Sequence, residues 1–165
     1  MTSDPPDGAP AAGPAVRPLR PGDLDTVAAM ERELFGAGAW SRAALAEELD
    51  GPGRTYLAAE LDGTLVGYAG LRFDGDDADV MTLGTTTAHQ GRGIGRALLH
   101  ALLAQARDLG AARVFLDVRV GNDPAVHLYS SEGFEQIGRR RGYYQPEGAD
   151  AWTMRLDLRA ARPVP

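Results

Sequence analysis

The 165-residue chain predicts a mixed α/β domain: a mostly antiparallel, twisted sheet of roughly six to seven strands flanked by helices. Three observations predict it. Apolar residues recur at helical spacing in separate segments, most plainly at Ile94, Leu98, Leu102, Ala106 and Leu109. Between these segments lie short alternating or β-branched runs. In Arg113 to Val120, for example, Val114, Leu116, Val118 and Val120 share one face, and Phe115, Asp117 and Arg119 the other. The resulting order, β-α-α-β-β-β-α-β-α-β-β, is mixed α/β, with helices packed on a largely antiparallel sheet.

Residues 1–15 are rich in Pro, Ala, Gly and Asp without periodicity, and are expected to form a disordered tail. The domain is expected to span residues 16–160, with 161–165 as a second tail. A short strand opens it near Val16 to Leu19. Asp23 to Phe35 reads as a helix with Leu24, Val27, Ala28, Met30 and Leu34 on its apolar face, stopped by Gly36. Ser41 is a good N-cap for a second helix through Leu49, which Asp50-Gly51-Pro52-Gly53 ends. Strands Thr55 to Leu61 and Leu65 to Phe73 meet at Asp62-Gly63, a strong signal for a tight hairpin. An acidic turn, Asp74 to Asp79, leads into a fourth strand, Val80 to Thr87. After the long helix Ile94 to Leu109 and the strand Arg113 to Val120 comes a short helix, Pro124 to Glu132, closed by Gly133. A final hairpin pairs Phe134 to Tyr144 with Trp152 to Leu158. There are no internal repeats.

Composition narrows the functional classes. Hydrophobic residues at 44% and charged residues at 24% are ordinary for a globular protein. No run of about 18 apolar residues predicts a membrane span, and no basic-then-apolar segment predicts a signal peptide. The chain has no cysteine, hence no disulfide, no thiolate metal site and no cysteine nucleophile. A cytoplasmic protein is expected. A net charge of −6 argues against nucleic acid as a partner. Lysine is absent, which excludes a Schiff-base or lysine general-base mechanism. His89, His100 and His127 have no ligand spacing, and the Asp74 to Asp79 cluster lacks the glycine and glutamate of a calcium loop, so no metal is expected.

The segment His89-Gln90-Gly91-Arg92-Gly93-Ile94-Gly95-Arg96 carries the most functional information. A glycine-rich turn between a strand and a helix leaves backbone N–H groups unpaired at the helix start. With the positive end of the helix dipole and two arginines, they suit a phosphate or pyrophosphate. Arg96 stands where a dinucleotide fingerprint needs its last glycine, and without lysine a Walker A loop is excluded. The remaining pattern is Gln-x-x-Gly-x-Gly, at Gln90, Gly93 and Gly95. On the loop alone, a plain strand-to-helix turn is the alternative.

That pattern resembles the pyrophosphate loop of the GCN5-related N-acetyltransferases (GNAT), which hold the diphosphate of acetyl-CoA. Asn122-Asp123-Pro124-Ala125-Val126-His127-Leu128-Tyr129-Ser130-Ser131-Glu132-Gly133-Phe134 likewise resembles the family's N-x-x-A-x-x-L-Y-x-x-x-G-F. The two half-motifs are separated by a helix and a strand of suitable length, and the resemblance runs from about Arg17 to Leu158. It implies the GNAT fold, with acetyl-CoA as cosubstrate held by Leu83, Gly84, Thr85, Gln90, Gly91, Arg92, Gly93, Ile94, Gly95, Arg96 and Asn122. Backbone N–H groups around Leu83 to Thr85 would stabilise the oxyanion if the fourth strand splays from the fifth.

A narrower resemblance is to the RimI-type enzymes, which acetylate the N-terminal alanine of a small-subunit ribosomal protein. It rests on Arg140-Arg141-Gly142-Tyr143-Tyr144, then Asp150-Ala151-Trp152-Thr153-Met154, and on Glu31 to Phe35 with Trp40-Ser41. It implies transfer of acetyl to a peptide N-terminus as partner, contacted by Arg140, Arg141, Tyr143 and Tyr144, with a solvated strand face as the less favoured reading of Arg139-Arg140-Arg141. The alternative functions are transfer to a lysine or a small-molecule amine, or a catalytically weakened acetyl-CoA-binding module. No nucleic acid or membrane partner is expected, and the chain is expected to act as a monomer. By the same resemblance Tyr129 protonates the leaving thiolate and Asp117 takes the amine proton. A packed tyrosine is the alternative for Tyr129, and an arginine-paired carboxylate the alternative for Asp117. Two departures stand out: the RimI-type enzymes have glutamate at the place of Asp117, and Thr85-Thr86-Thr87 replaces their Val-x-Pro.

Overall fold

The computed structural model of the chain describes residues 13–159. The elements run β1 (Ala15–Pro18), α1 (Leu24–Phe35), α2 (Arg42–Asp50), β2 (Arg54–Leu61), β3 (Thr64–Phe73), β4 (Ala78–Thr85), α3 (Ile94–Leu109), β5 (Arg113–Arg119), α4 (Asp123–Ser131), β6 (Glu135–Tyr144) and β7 (Ala149–Asp157). The strands form one seven-stranded sheet in the order β1-β2-β3-β4-β5-β7-β6. Every neighbouring pair is antiparallel except β4 and β5, which are parallel. The expected tails fall almost wholly outside the described residues, and Ala15 opens β1.

Alternation along the strands sorts side chains onto two cores. Tyr56, Ala58 and Tyr68 point to the face covered by α1 and α2, where Val27, Ala28, Met30 and Leu45 pack on them. Ala59, Ala69 and Leu71 point to the other face, under Ile94, Leu98, Leu102 and Ala106 of α3, with Tyr129 of α4 in the same cluster. Gly67 lets α3 approach closely: a Cβ there would lie 3.0 Å from both Ile94 and Leu98 side chains.

Local signals account for the boundaries. The Ser41 hydroxyl accepts the N–H of Ala44 at 3.1 Å, capping α2. Asp62 (φ 52°) and Gly63 (φ 79°) both adopt positive φ, as a type I′ hairpin turn demands. Gly133, with φ 98°, ends α4 and sends Phe134 back toward the Tyr129 carbonyl at 3.1 Å. Two strands differ from expectation by more than one residue. β4 runs from Ala78 to Thr85 rather than from Val80 to Thr87, because Ala78 pairs with Phe73 and residues Thr87–His89 form a 3₁₀ turn. β7 begins at Ala149 instead of Trp152, since Ala149 pairs with Tyr144 across the turn.

Candidate active site

The parallel strands β4 and β5 are in register only at Ala78↔Val114 and Asp79↔Phe115. Beyond those pairs they diverge, and a cleft of about 950 Å³ opens between them. Thr86 donates its N–H to Val66 of β3 at 2.9 Å. Successive N–H groups of a strand point to opposite edges, so those of Leu83 and Thr85 point away from β3, into the gap. Their side chains face α3: a Cβ on Gly95 would meet Leu83 and Thr85. Gly84 faces the other way, where a Cβ would lie 2.8 Å from Leu34, so its glycine makes room for α1.

One mouth of the cleft is the glycine-rich loop. Gly91 (φ 78°) and Gly93 (φ 80°) hold positive φ with open space where a Cβ would stand, so the backbone is accessible at both. The first backbone bond of α3 runs from Ala97 N–H to Gly93, which leaves the N–H groups of Ile94, Gly95 and Arg96 without helical partners. Gln90 points its amide back to the Thr85 carbonyl at 3.2 Å and so ties the loop to the end of β4. The triple threonine is accommodated by two side-chain bonds: Thr86 Oγ1 to His89 Nδ1 at 2.9 Å, and the Thr87 N–H to Glu33 at 3.3 Å. Arg96 lines the cleft, but its guanidinium is held by Glu132 and by Ser131. Arg92 is exposed and lies off the cleft lining.

Asn122 and Tyr129 form the adjoining wall from α4. The Asn122 side-chain oxygen caps the helix by accepting the Ala125 N–H at 3.4 Å, leaving its amide N–H₂ for the cleft. Tyr129 is buried, with its ring edge on Phe134 at 5.8 Å. Burial pushes its hydroxyl up to about 12. No side chain among the described residues hydrogen-bonds that hydroxyl.

A second cavity, about 720 Å³, opens on the face bearing Phe115 and Asp117, and shares Trp40, Met81, Asp117 and Tyr144 with the first. The gap is thus reached from both faces of the sheet. Asp117 Oδ1 accepts from the Thr153 hydroxyl at 2.7 Å and from Arg140 Nε at 3.1 Å, so the carboxylate does pair with an arginine. No hydrogen bond reaches its Oδ2 among the described residues. Arg140 also stacks on Tyr143 at 5.5 Å, and Arg119 on Tyr144 at 4.8 Å. Burial, with Tyr143 and Asp117 nearby, pushes the Tyr144 hydroxyl up to about 12. Arg140, Tyr143 and Tyr144 therefore gather at one cavity. Arg141 lies outside it on the exposed edge strand, and Arg139 is taken up by Asp150 and Trp152.

Comparison with known proteins matches residues 24–134 to the acetyltransferase (GNAT) family. The chain belongs to the GNAT family. It is 46% identical over 140 residues to the N-alpha-acetyltransferase RimI of Mycobacterium tuberculosis, covering 82% of this chain and 87% of that protein. The Escherichia coli ribosomal-protein-S18-alanine N-acetyltransferase superposes with a TM-score of 0.80 at 28% identity, covering 88% and 94% of the two chains. Arabidopsis thaliana NAA60, solved in complex with acetyl-CoA, shares the fold with a TM-score of 0.79 at 21% identity, covering 88% and 99%. The chain is thus a RimI-like GNAT acyltransferase.

Within this GNAT domain, one charged residue that the sequence places in the RimI-type resemblance, but without a role, lies at the cleft. Glu31 of α1 is 1% exposed and lines the cleft. Its Oε1 accepts from the Tyr68 hydroxyl at 2.6 Å and the Thr82 hydroxyl at 3.1 Å, and its Oε2 from the Trp40 N–H at 3.1 Å. The signal was available: Glu31 falls between Val27 and Leu34 on the apolar stripe of α1, where a carboxylate is out of place.

Proposed function

We propose that this acetyltransferase moves the acetyl group of acetyl-CoA onto the N-terminal α-amine of a polypeptide, the alanine of a small-subunit ribosomal protein, by direct attack in a ternary complex. The observation that carries this reading is the cleft reached from both faces, with a glycine-rich loop on one side and Asp117, Arg140, Tyr143 and Tyr144 on the other. A donor and an acceptor can enter separately and meet between β4 and β5.

The donor side fits acetyl-CoA. The open backbone at Gly91 and Gly93 and the unpaired N–H groups of Ile94, Gly95 and Arg96 suit a diphosphate. The Asn122 amide suits a pantetheine carbonyl. When bound, acetyl-CoA supplies a thioester carbonyl for attack by the amine. The N–H groups of Leu83 and Thr85 stabilise the negative charge that builds on the carbonyl oxygen. Tyr129 keeps its proton at neutral pH and gives a hydrogen bond to the departing sulfur; the same dry surroundings raise the basicity of that sulfur.

Asp117, held on one oxygen by Thr153 and Arg140, offers Oδ2 to take the amine proton, directly or through one water. The demand on it is modest for an α-amine, which ordinarily titrates at about 7.7–8.0, against about 10.4 for a lysine side chain. That difference favours an N-terminal acceptor. No cysteine is present to form an acyl-enzyme, which supports direct transfer. One chain carries both halves of the cleft, in keeping with a monomer, and a newly made ribosomal protein meets such an enzyme in the cytoplasm.

The test is a peptide beginning with alanine and containing one internal lysine, incubated with enzyme and acetyl-CoA. Mass spectrometry is expected to place the acetyl group on the α-amine. Modification of the lysine alone contradicts the reading.

A further inference from the structure

Transfer as proposed uses Asp117 and leaves Glu31 idle, although Glu31 is the one buried charged side chain among the described residues. Burying a carboxylate is costly unless hydrogen bonds or a cation offset it. Glu31 has three hydrogen bonds, all from neutral donors: Tyr68, Thr82 and the Trp40 N–H. No arginine or histidine lies within ion-pair distance of it among the described residues. Asp117, by contrast, already has a cation of the chain's own beside it, the Arg140 guanidinium at 3.1 Å.

Thr82 lies on β4 next to Leu83, whose N–H points into the gap, and Trp40 lines both cavities. Glu31 therefore sits beneath the wall of the cleft on the side of α1, close to where an acceptor nitrogen must approach β4. A cation entering a low-dielectric cleft is drawn to the nearest unneutralised carboxylate.

We propose that Glu31 supplies the net negative charge that draws the acceptor's ammonium group into the cleft and retains it before its proton is lost to Asp117. It acts as a positioning residue through the field at the β4–β5 gap, and it also fixes Trp40. The inference rests on the amine-acceptor reading of the cleft.

The experiment compares two ligands of the CoA-bound enzyme by calorimetry: an alanine-initiated peptide with a free α-amine, and the same peptide with an N-formyl group. The wild type is expected to prefer the cationic peptide by about tenfold or more. Glu31→Gln is expected to remove most of that preference. Tyr68→Phe, which drops one hydrogen bond and keeps the carboxylate, is expected to retain it. So is Asp117→Asn/Arg140→Gln, which removes one charge of each sign, even as transfer fails. If Glu31→Gln weakens both peptides alike, Glu31 is structural and the proposal falls. The proposal falls equally if the double variant loses the preference, whatever the folding of Glu31→Gln. Turnover of the free-amine peptide by the same wild-type sample separates the two claims. Turnover with an unaltered preference in Glu31→Gln overturns this inference alone, whereas absent turnover overturns the amine-acceptor reading beneath it.

Discussion

Arg140 on β6 reaches over β7 to donate from Nε to Oδ1 of Asp117 on β5 at 3.1 Å. Thr153, on the intervening strand, donates to the same oxygen at 2.7 Å. Two donors on one oxygen fix the carboxylate and leave Oδ2 without a hydrogen bond among the described residues, the oxygen to which the proposed mechanism gives the amine proton. Asp117→Asn is therefore expected to slow transfer by about 10²–10⁴-fold, the usual worth of a general base. The pH–rate profile should shift upward, because the amine must then deprotonate unaided near its own pKa of about 8. Asp117→Glu should retain activity. Steady-state rates from pH 6 to 10 check all three; full activity in Asp117→Asn places the base elsewhere.

Tyr129→Phe should lower kcat and leave acetyl-CoA affinity within about twofold, since the ring packing on Phe134 remains and only the proton donor is lost. Sign matters for its pH dependence. In the proposed mechanism the active form is the protonated phenol, and burial raises its pKa to about 12, so its contribution should persist up to that pH and be lost only above it. The wild-type rate should show no descending limb from Tyr129 below about pH 10, the ordinary tyrosine pKa. Such a limb near pH 9 or 10, absent in Tyr129→Phe, contradicts this.

Gly93 occupies φ 80° at the N-cap of α3, a conformation a β-branched side chain rarely adopts. Gly93→Val is expected to cost about 1–3 kcal/mol in stability through backbone strain. It is also expected to raise the Kd for acetyl-CoA severalfold by blocking the loop backbone. Thermal melts and calorimetry measure the two effects; unchanged affinity removes the loop from the donor site.

The resemblance to the RimI-type enzymes sets Thr87 at a proline position, and its extra N–H is satisfied by Glu33. Thr86, at φ −53° and ψ 143°, already has the extended conformation that a following proline requires. Thr87→Pro should therefore be tolerated, with stability changing by less than about 1 kcal/mol in either direction. Denaturant unfolding checks this, and a large destabilisation means that the Glu33 bond is needed for the turn.

The element order was readable because periodicity and punctuation agreed: Ser41 caps α2, Asp62-Gly63 turns the β2–β3 hairpin, and Gly133 closes α4. The cleft itself was readable only through the two half-motifs, since the splay follows from how few residues of β4 and β5 pair. The Asp117–Arg140 contact depends on register, which shifts within β6 between Gln136 and Gly138 and between Arg140 and Tyr144. A shift of one residue reverses which side chains face the cleft. This is why Arg140 reaches Asp117, while Arg139 and Arg141, its sequence neighbours, do not. The role of Glu31 was not legible for a different reason: its three partners come from β3, β4 and the α1–α2 connection, far apart in sequence.

The central claim is that the acceptor is a polypeptide α-amine, and its most direct measurement is transfer to a matched pair of peptides. Both begin with alanine and contain internal lysines, and one has its N-terminus blocked. One acetyl group per free peptide is expected, located on the α-amine by fragmentation, and no transfer to the blocked peptide. Efficient acetylation of lysine on the blocked peptide would contradict it.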